Sequence, residues 1–264
     1  MQANGLVGNA PDVAGLEFAL VGPTLEAQVD IGAVVFGAPF PVQVNRQPIA
    51  NGTTFNVPTG SVLKIGAAAA GLRGYLAIRG GIHSKLILGS RSSFEPLQRG
   101  DVLPCESGRV ARRSLAEPLV SYSTDPVPPP IRCMPGAQAD WFTLPEFFGP
   151  EFLVTPASNR MGIRLQGKPL TRPQREMVSE PVCPGSVQVV NDGQCIVLGV
   201  DGQTIGGYPK VAQVITADLD RLGQLRPGQR VVFEMIGLDR AEFLRQERER
   251  RLAILLTRLA AGHV

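Results

Sequence analysis

The sequence predicts a mainly β protein built as two barrel-like halves, with a few short helices and a longer helix at the C-terminal end. Three observations carry that reading. The chain has 30 glycines and 23 prolines but only 19% charged residues among its 264, which favours many short strands and turns over long helices. Short β-branched runs recur between turn residues, as in Phe55-Asn-Val-Pro58, Gly60-Ser-Val-Leu-Lys-Ile65 and Gly185-Ser-Val-Gln-Val-Val190. An apolar strand running into a glycine pair occurs twice, at Gly74–Gly81 (GYLAIRGG) and Cys195–Gly207 (CIVLGVDGQTIGG).

The clearest break between the halves is Pro126-Val-Pro-Pro-Pro130. Such a stretch favours extended polyproline geometry and cannot join a central strand. It places one domain at 1–125 and a second at 131–238, with a helix over 239–264. Downstream of each strand–glycine unit comes a hairpin-like entry, Leu97–Leu103 in the first half and Leu225–Phe233 in the second. The echo reads either as internal duplication of one barrel-like β unit, the favoured reading, or as recurrent hairpin chemistry. Ala217–Leu222 is long enough for one or two helical turns. The long helix is expected to start near Asp239, with Glu242 three residues on completing a capping box. Its apolar end, Leu252, Leu255, Leu256 and Leu259, suits docking on the body or on a partner rather than on a membrane.

Several function classes fall away. A net charge of +3 with 6% aromatic residues gives no nucleic-acid platform. The N-terminus has no basic and apolar leader pattern, and no stretch approaches the roughly 20 apolar residues that span a bilayer; the expected location is cytoplasmic. Cys105, Cys133, Cys183 and Cys195 lack metal-ligand spacing and read as reduced thiols. With His83 and His263 as the two histidines, neither a histidine-rich metal site nor a Ser-His-Asp triad is expected, and the metal assignment is none. Gly66-Ala-Ala-Ala-Ala-Gly71 has P-loop spacing, but Leu72-Arg73 stand where lysine and a hydroxyl are needed, so it reads as a small-residue turn.

Two runs carry chemistry. Asp201-Gly-Gln-Thr-Ile-Gly-Gly-Tyr-Pro-Lys210 follows an apolar strand and packs an acid, an amide, a hydroxyl, paired glycines and a lysine into one loop. A plain Asp-Gly turn accounts for its start only; Gly206-Gly207 permit close approach by a ligand or backbone, and Lys210 can answer a negative charge. Ser158-Asn-Arg-Met-Gly-Ile-Arg-Leu165, if extended, places Arg160, Gly162 and Arg164 on one face and Met161, Ile163 and Leu165 on the other. The arginines can fork onto a carboxylate, or the run is a solvated strand face backed by the core.

These two motifs, their order, and Gly185-Ser-Val-Gln-Val189 between them resemble the carboxyltransferase-type family that includes allophanate hydrolase subunit 2, the C subunit of 5-oxoprolinase and part of urea carboxylase. Asn4-Gly-Leu-Val-Gly-Asn9, Leu16-Glu17, Tyr75-Leu-Ala-Ile-Arg-Gly-Gly-Ile82, Leu88-Gly-Ser-Arg-Ser-Ser93 and Leu225-Arg-Pro-Gly228 agree. The resemblance runs to about Gly237. It implies a pair of cyclophilin-like β-barrel domains. It also implies a subunit of an ATP-dependent 5-oxoprolinase that opens 5-oxo-L-proline to L-glutamate, working with a smaller related subunit (allophanate hydrolase subunit 1-like) and an amidohydrolase-like third subunit. ATP is then bound by the complex rather than by this chain alone. The alternatives are a biotin-dependent carboxyltransferase of the urea amidolyase type, with biotin supplied from another chain, and a non-catalytic regulatory partner of the smaller subunit. Family members begin several dozen residues earlier, so the resemblance predicts either a late start or a first barrel lacking an edge strand.

For ATP-coupled lactam opening the chemistry needs cations to hold the substrate carboxylate and developing phosphate charge. The motif match offers Arg160 and Lys210 as catalytic cations and Asp201 as the group that holds the ring N–H or acts as base. Asn159, Arg164, Gln188, Gln203, Thr204, Gly206, Gly207 and Tyr208 are offered as substrate-binding, with Arg79 and Arg91 in the matching part of the first half.

Overall fold

The computed structural model describes residues 1–93, 95–115 and 128–262. Its described residues divide into two compact units, one drawn from Met1–Tyr122 and Arg251–Val264, the other from Ser123–Arg250. His263, and Pro126 and Val127 of the proline break, lie outside the described residues.

The first unit contains α1 (Gln2–Val7) and strands β1 (Leu16–Ala19), β2 (Thr24–Glu26), β3 (Ile31–Gly37), β4 (Val42–Val44), β5 (Gln47–Ile49), β6 (Phe55–Val57), β7 (Val62–Ile65) and β8 (Arg73–Ile78). They form two four-stranded sheets, ordered β1-β8-β3-β6 and β2-β7-β4-β5. The period of two along β3 explains its burial on both sides. Ala33 and Val35 face the main core with Phe18, Phe40 and Leu76. Val34 faces the other way, with Ala77, against Leu6 and Val7 of α1. Gly8 ends α1 in the left-handed region at φ 79°, and Gly80 and Gly81 turn the chain after β8 at φ 81° and 87°, conformations that glycine adopts at little cost.

The second unit contains β9 (Ile131–Pro135), β10 (Glu151–Val154), β11 (Gly162–Gln166), β12 (Glu180–Pro181), β13 (Ser186–Val189), β14 (Cys195–Leu198), β15 (Ile205–Gly206), β16 (Lys210–Val214), α2 (Leu219–Leu222) and β17 (Arg230–Met235). Seven of these strands close a barrel in the order β10-β11-β14-β13-β16-β9-β17, while β12 and β15 form a separate two-stranded ribbon. Among the described barrel pairs, β9 and β17 run parallel and the others antiparallel. Phe147, Phe152 and Phe233 fill the core with Val187, Val189, Val197 and Val214, and Phe147 stacks on Phe233 at 4.8 Å. Among the described residues the strands of the second half close a barrel, while those of the first are arranged as two four-stranded sheets. The expected echo of hairpins is also partial. Arg226–Gln229 turns into β17, but Gln98–Asp101 is a turn without a following strand.

The last helix, α3 (Leu238–Ala260), starts one residue before Asp239. Asp239 thus lies inside the first turn instead of capping it. The carboxylate of Glu242 accepts hydrogen bonds from Arg245 and Gln246 rather than from the helix start. Leu255, Leu256 and Leu259 pack with α1 in the first unit. No helix among the described residues is long and apolar enough to cross a membrane.

The second unit is tied near its chain entry by Asp218, whose side chain is fully buried. Its carboxylate accepts from the backbone N–H and the guanidinium of Arg132 at 2.5–2.9 Å, and from Arg221 at 3.1 Å. Burial pushes the Asp218 pKa up, but the hydrogen bonds from Arg132 and the charge of Arg221 outweigh it and hold the carboxyl below its ordinary value. A depressed folded pKa contributes stability that is present above the unfolded value near 3.9 and is lost as pH falls toward the folded value. We expect Asp218→Asn to lower unfolding free energy by about 2–3 kcal/mol at pH 7, because two partly exposed arginines rehydrate while a buried network opens. Urea denaturation across pH 3–7 checks this, with the gap between wild type and variant closing at the acid end.

Candidate functional site

The site begins with a register. Arg164 lies opposite Ile196, Ile196 opposite Gln188, and Gln188 opposite Lys210. Opposed residues of antiparallel strands share a face, so these four form one row across β11, β14, β13 and β16. Their neighbours Ile163, Leu165, Val187 and Val189 belong to the core, which puts the row on the outer face of the barrel. A bulge makes this possible. Val187 pairs with Ala212 and Gln188 with Lys210, so Val211 is skipped and Lys210 is turned to the Gln188 side. Gly136 follows the bulge closely: its N–H donates to Val211, and a Cβ there would sit 2.3 Å from the Lys210 carbonyl oxygen.

At the Lys210 end the row is covered. The Lys210 ammonium pairs with Glu180, and its side chain is only 9% exposed against 37% for Glu180. Glu180 Oε1 also accepts from Gln138 Nε2 at 2.8 Å. Hydrogen bonds from Lys210 first, then Gln138, hold the Glu180 carboxyl below its ordinary pKa. Gln138 grips the Lys210 backbone as well, accepting its N–H at 3.0 Å and donating its own N–H to the Lys210 carbonyl at 3.1 Å. Glu180 lies opposite Gly206 in the ribbon, and a Cβ on Gly206 would meet Gln188 Nε2 at 2.4 Å. Gln188 is 1% exposed. Its Oε1 accepts from Gln203 at 3.4 Å, while its Nε2 is buried and has no acceptor among the described residues. Lys210, Glu180, Gly206 and Gln188 therefore close a ring of neighbours, with an unanswered donor inside it.

Arg160 and Asp201 meet at the other end of β11 and β14. The guanidinium donates to the carboxylate twice, at 2.5 and 3.1 Å, and the Asp201 N–H donates to the Arg160 carbonyl at 3.2 Å. Gly199 permits this approach, since a Cβ there would lie 2.2 Å from the Arg160 carbonyl oxygen. Asn159 builds the turn, its Oδ1 accepting from the N–H groups of Met161 and Gly162. That turn delays the strand to Gly162 and leaves Met161 55% exposed, against the alternation expected from Arg160 onward. Arg164 opens instead onto a surface groove of about 340 Å³ with Thr155, Gln166, Asp192, Gln194 and Ile196.

The remaining sequence-predicted residues scatter. The Thr204 carbonyl accepts from Val182 in the ribbon, Tyr208 lies under the Arg172 guanidinium at 5.8 Å, and Gly207 is exposed beside Ser179. Arg79 and Arg91 belong to the first unit, Arg79 beside Gly8 and Gly108 and Arg91 donating to the Ser84 carbonyl. His83 sits in a loop 3.9 Å from Glu106. Sequence reasoning missed Glu180 and Gln138, which lie 30 and 72 residues from Lys210 in stretches without a motif. No group of three His, Cys, Asp or Glu among the described residues could hold a metal ion.

The family model for the carboxyltransferase domain, subdomains A and B, matches residues 1–235. The chain belongs to this family. It is 34% identical over 260 residues to the C subunit of 5-oxoprolinase from Haemophilus influenzae, covering 93% of this chain and 82% of that one. The subunit of the same name from Escherichia coli is 33% identical, with 97% and 86% covered. In structure the chain is similar to the urea amidolyase of K. lactis, with a TM-score of 0.86 and 27% identity over 96% of this chain but 17% of that one. Family membership accords with the mainly β architecture of the described residues.

Gly206 and Gly207 separate two uses of glycine. Gly206→Ala drives a methyl into the buried Gln188 amide and Val182, and should cost about 1–3 kcal/mol. Gly207→Ala meets only Ser179 Oγ at 3.3 Å on the surface and should stay within about 0.5 kcal/mol. Thermal melts of the two variants check the contrast.

Proposed function

We propose that this chain is a subunit of an ATP-dependent 5-oxoprolinase, acting with a smaller related subunit and an amidohydrolase-like third subunit to open 5-oxo-L-proline to L-glutamate. The observation that carries the reading is the near full-length similarity to the two bacterial proteins named as the C subunit of 5-oxoprolinase, of which this chain spans 82% and 86%. The likeness to urea amidolyase supports a second reading, biotin-dependent carboxyl transfer, but it spans 17% of that larger chain.

In this reading Lys210 is the catalytic cation. It is held by the bulge in β16 and by Gln138, and it receives the substrate carboxylate. Gln188 Nε2 donates to a second substrate oxygen, and Gln203 orients Gln188. A cation and a fixed amide donor in a site shielded from water hold negative charge more strongly than they do in bulk solvent. Arg160 and Asp201 satisfy each other, so their role is positioning: the fork between them holds the start of the loop that carries Gln203 and Gly206. Arg164 offers a further cation along the same row. Gly66–Gly71 lacks the lysine and hydroxyl of a phosphate loop, so that run offers no ATP site of this kind. Nucleotide binding is accordingly assigned to the complex.

Lys210→Met retains the length of the side chain and removes its charge, while the partly exposed Glu180 can rehydrate; stability should change little. Turnover of 5-oxo-L-proline, measured as substrate-dependent ADP release by the complex reconstituted with its partner subunits, should fall about 10²–10³-fold. Asp201→Asn should cost less, on the order of tenfold, expressed mainly in KM. Near-wild-type turnover of the Lys210→Met complex would mean that the site lies elsewhere.

A further inference from the structure

Glu180 occupies the place that a ligand anion needs. A lysine ammonium whose side chain is 9% exposed requires a negative partner, and Glu180 is that partner. Removing one member of such a pair leaves an uncompensated charge at high cost, so anything that displaces Glu180 must bring an anion of its own. The donor set describes that anion. Lys210 Nζ and Gln138 Nε2 both reach a single oxygen of Glu180, and the buried Gln188 Nε2 next to Gly206 has no acceptor among the described residues. A carboxylate offers about four acceptor positions on two oxygens, enough for all three donors.

The covering element is weakly built. The ribbon pairs only Glu180 with Gly206 and Pro181 with Ile205, supplemented by the Val182 N–H to the Thr204 carbonyl at 2.9 Å. Two-stranded ribbons of this size are marginal by themselves, and this one lies outside the barrel ladder. Ile205 is 63% exposed and Val178 87%, so little apolar surface anchors its outer side. Glu180, 37% exposed, has a direct way into water.

We propose that Glu180 is an internal substitute for a ligand carboxylate: a small carboxylate binds by displacing Glu180 from Lys210 and Gln138 as the β12–β15 ribbon opens, and in doing so answers Gln188 Nε2. The proposal deepens the reading above, since it rests on Lys210 receiving the substrate carboxylate. It adds Gln138 and Gln188 as the companion donors and Glu180 as the competitor that lowers apparent affinity by the fraction of time the ribbon is closed.

Isothermal titration of the full-length chain tests it, using 5-oxo-L-proline, propionate as a plain carboxylate, and 2-pyrrolidinone as the lactam without a carboxylate. Glu180→Gln and Glu180→Ala should each bind both carboxylates at least about tenfold more tightly than wild type, with 2-pyrrolidinone unchanged. Lys210→Met introduced into either variant should abolish the gain. Melting curves confirm folding, and the two substitutions at Glu180 guard against one of them misfolding. Unchanged, weaker or absent carboxylate binding in both folded Glu180 variants overturns the proposal, as does equal tightening for 2-pyrrolidinone. The underlying reading fails separately: if propionate tightens while 5-oxo-L-proline does not, displacement stands and the lactam assignment falls. If 5-oxo-L-proline binds wild type and variants alike and the complex turns it over, the lactam assignment stands and displacement falls.

Discussion

A buried ammonium has to be answered, and in this chain the answer to Lys210 organises the outer face of the barrel. The skipped Val211 turns Lys210 onto the same side as Gln188. From there the lysine reaches Glu180 on a segment that takes no part in the barrel ladder. Gln138 then serves backbone and side chain together: its N–H donates to the Lys210 carbonyl, its Oε1 accepts the Lys210 N–H, and its Nε2 shares Glu180 with the lysine. Remove the bulge and Lys210 returns to the register its neighbours Ala212 and Val214 keep, in the core. An ammonium there would face the barrel's apolar filling, a placement that costs several kcal/mol. The bulge is thus the condition for having a lysine at this point of the strand at all.

The glycines of the loop after β14 follow from the same requirement of close approach. Gly199 and Gly206 are tight for different reasons. The first lets the Asp201 loop lie against the Arg160 carbonyl, and the second lets the ribbon lie against the Gln188 amide. Neither has a positive φ, so absence of a side chain, rather than access to left-handed backbone, is what these positions use. Gly80 and Gly81, the corresponding pair after β8, do adopt positive φ and make a turn. The similarity of the two strand–glycine units in sequence therefore conceals different physics.

Much of the fold was legible because it is local. Alternating β-branched runs and glycine punctuation marked β6, β7, β8, β13 and β14, and the leucines at helical spacing marked α3 and the face it buries. Gln188, Lys210 and Gly206 were legible as candidates through the motif segments they belong to, and the fold brings them together. What was not legible is pairing across distance. The alternation from Arg160 to Leu165 looked continuous, and only Asn159 folding back on Met161 and Gly162 shows where the strand starts. Closure of the second half depends on which strands meet at the seam, β10 with β17, which no local pattern encodes. Glu180 and Gln138 carry no signal in their own neighbourhoods; they matter only because the fold brings them to Lys210.

The Lys210–Glu180 pair that ends the β11–β16 row and the Arg160–Asp201 pair beyond the ends of β11 and β14 differ in what it costs to open them. Arg160 and Asp201 are both in contact with water, and a solvated pair of this kind contributes at most about 1 kcal/mol. Lys210 and Glu180 are asymmetric: the acid is partly in water and the base is not. Releasing Glu180 is cheap for the carboxylate and expensive for the lysine left behind, which makes exchange of one anion for another the low-cost route and simple dissociation the high-cost one. If Lys210 receives a ligand carboxylate, as proposed, the site keeps its cation desolvated between ligands and admits a neutral ligand only at the expense of a buried, unpaired charge. Under that proposal, discrimination in favour of carboxylates comes from the closed state itself, before any ligand contact has formed.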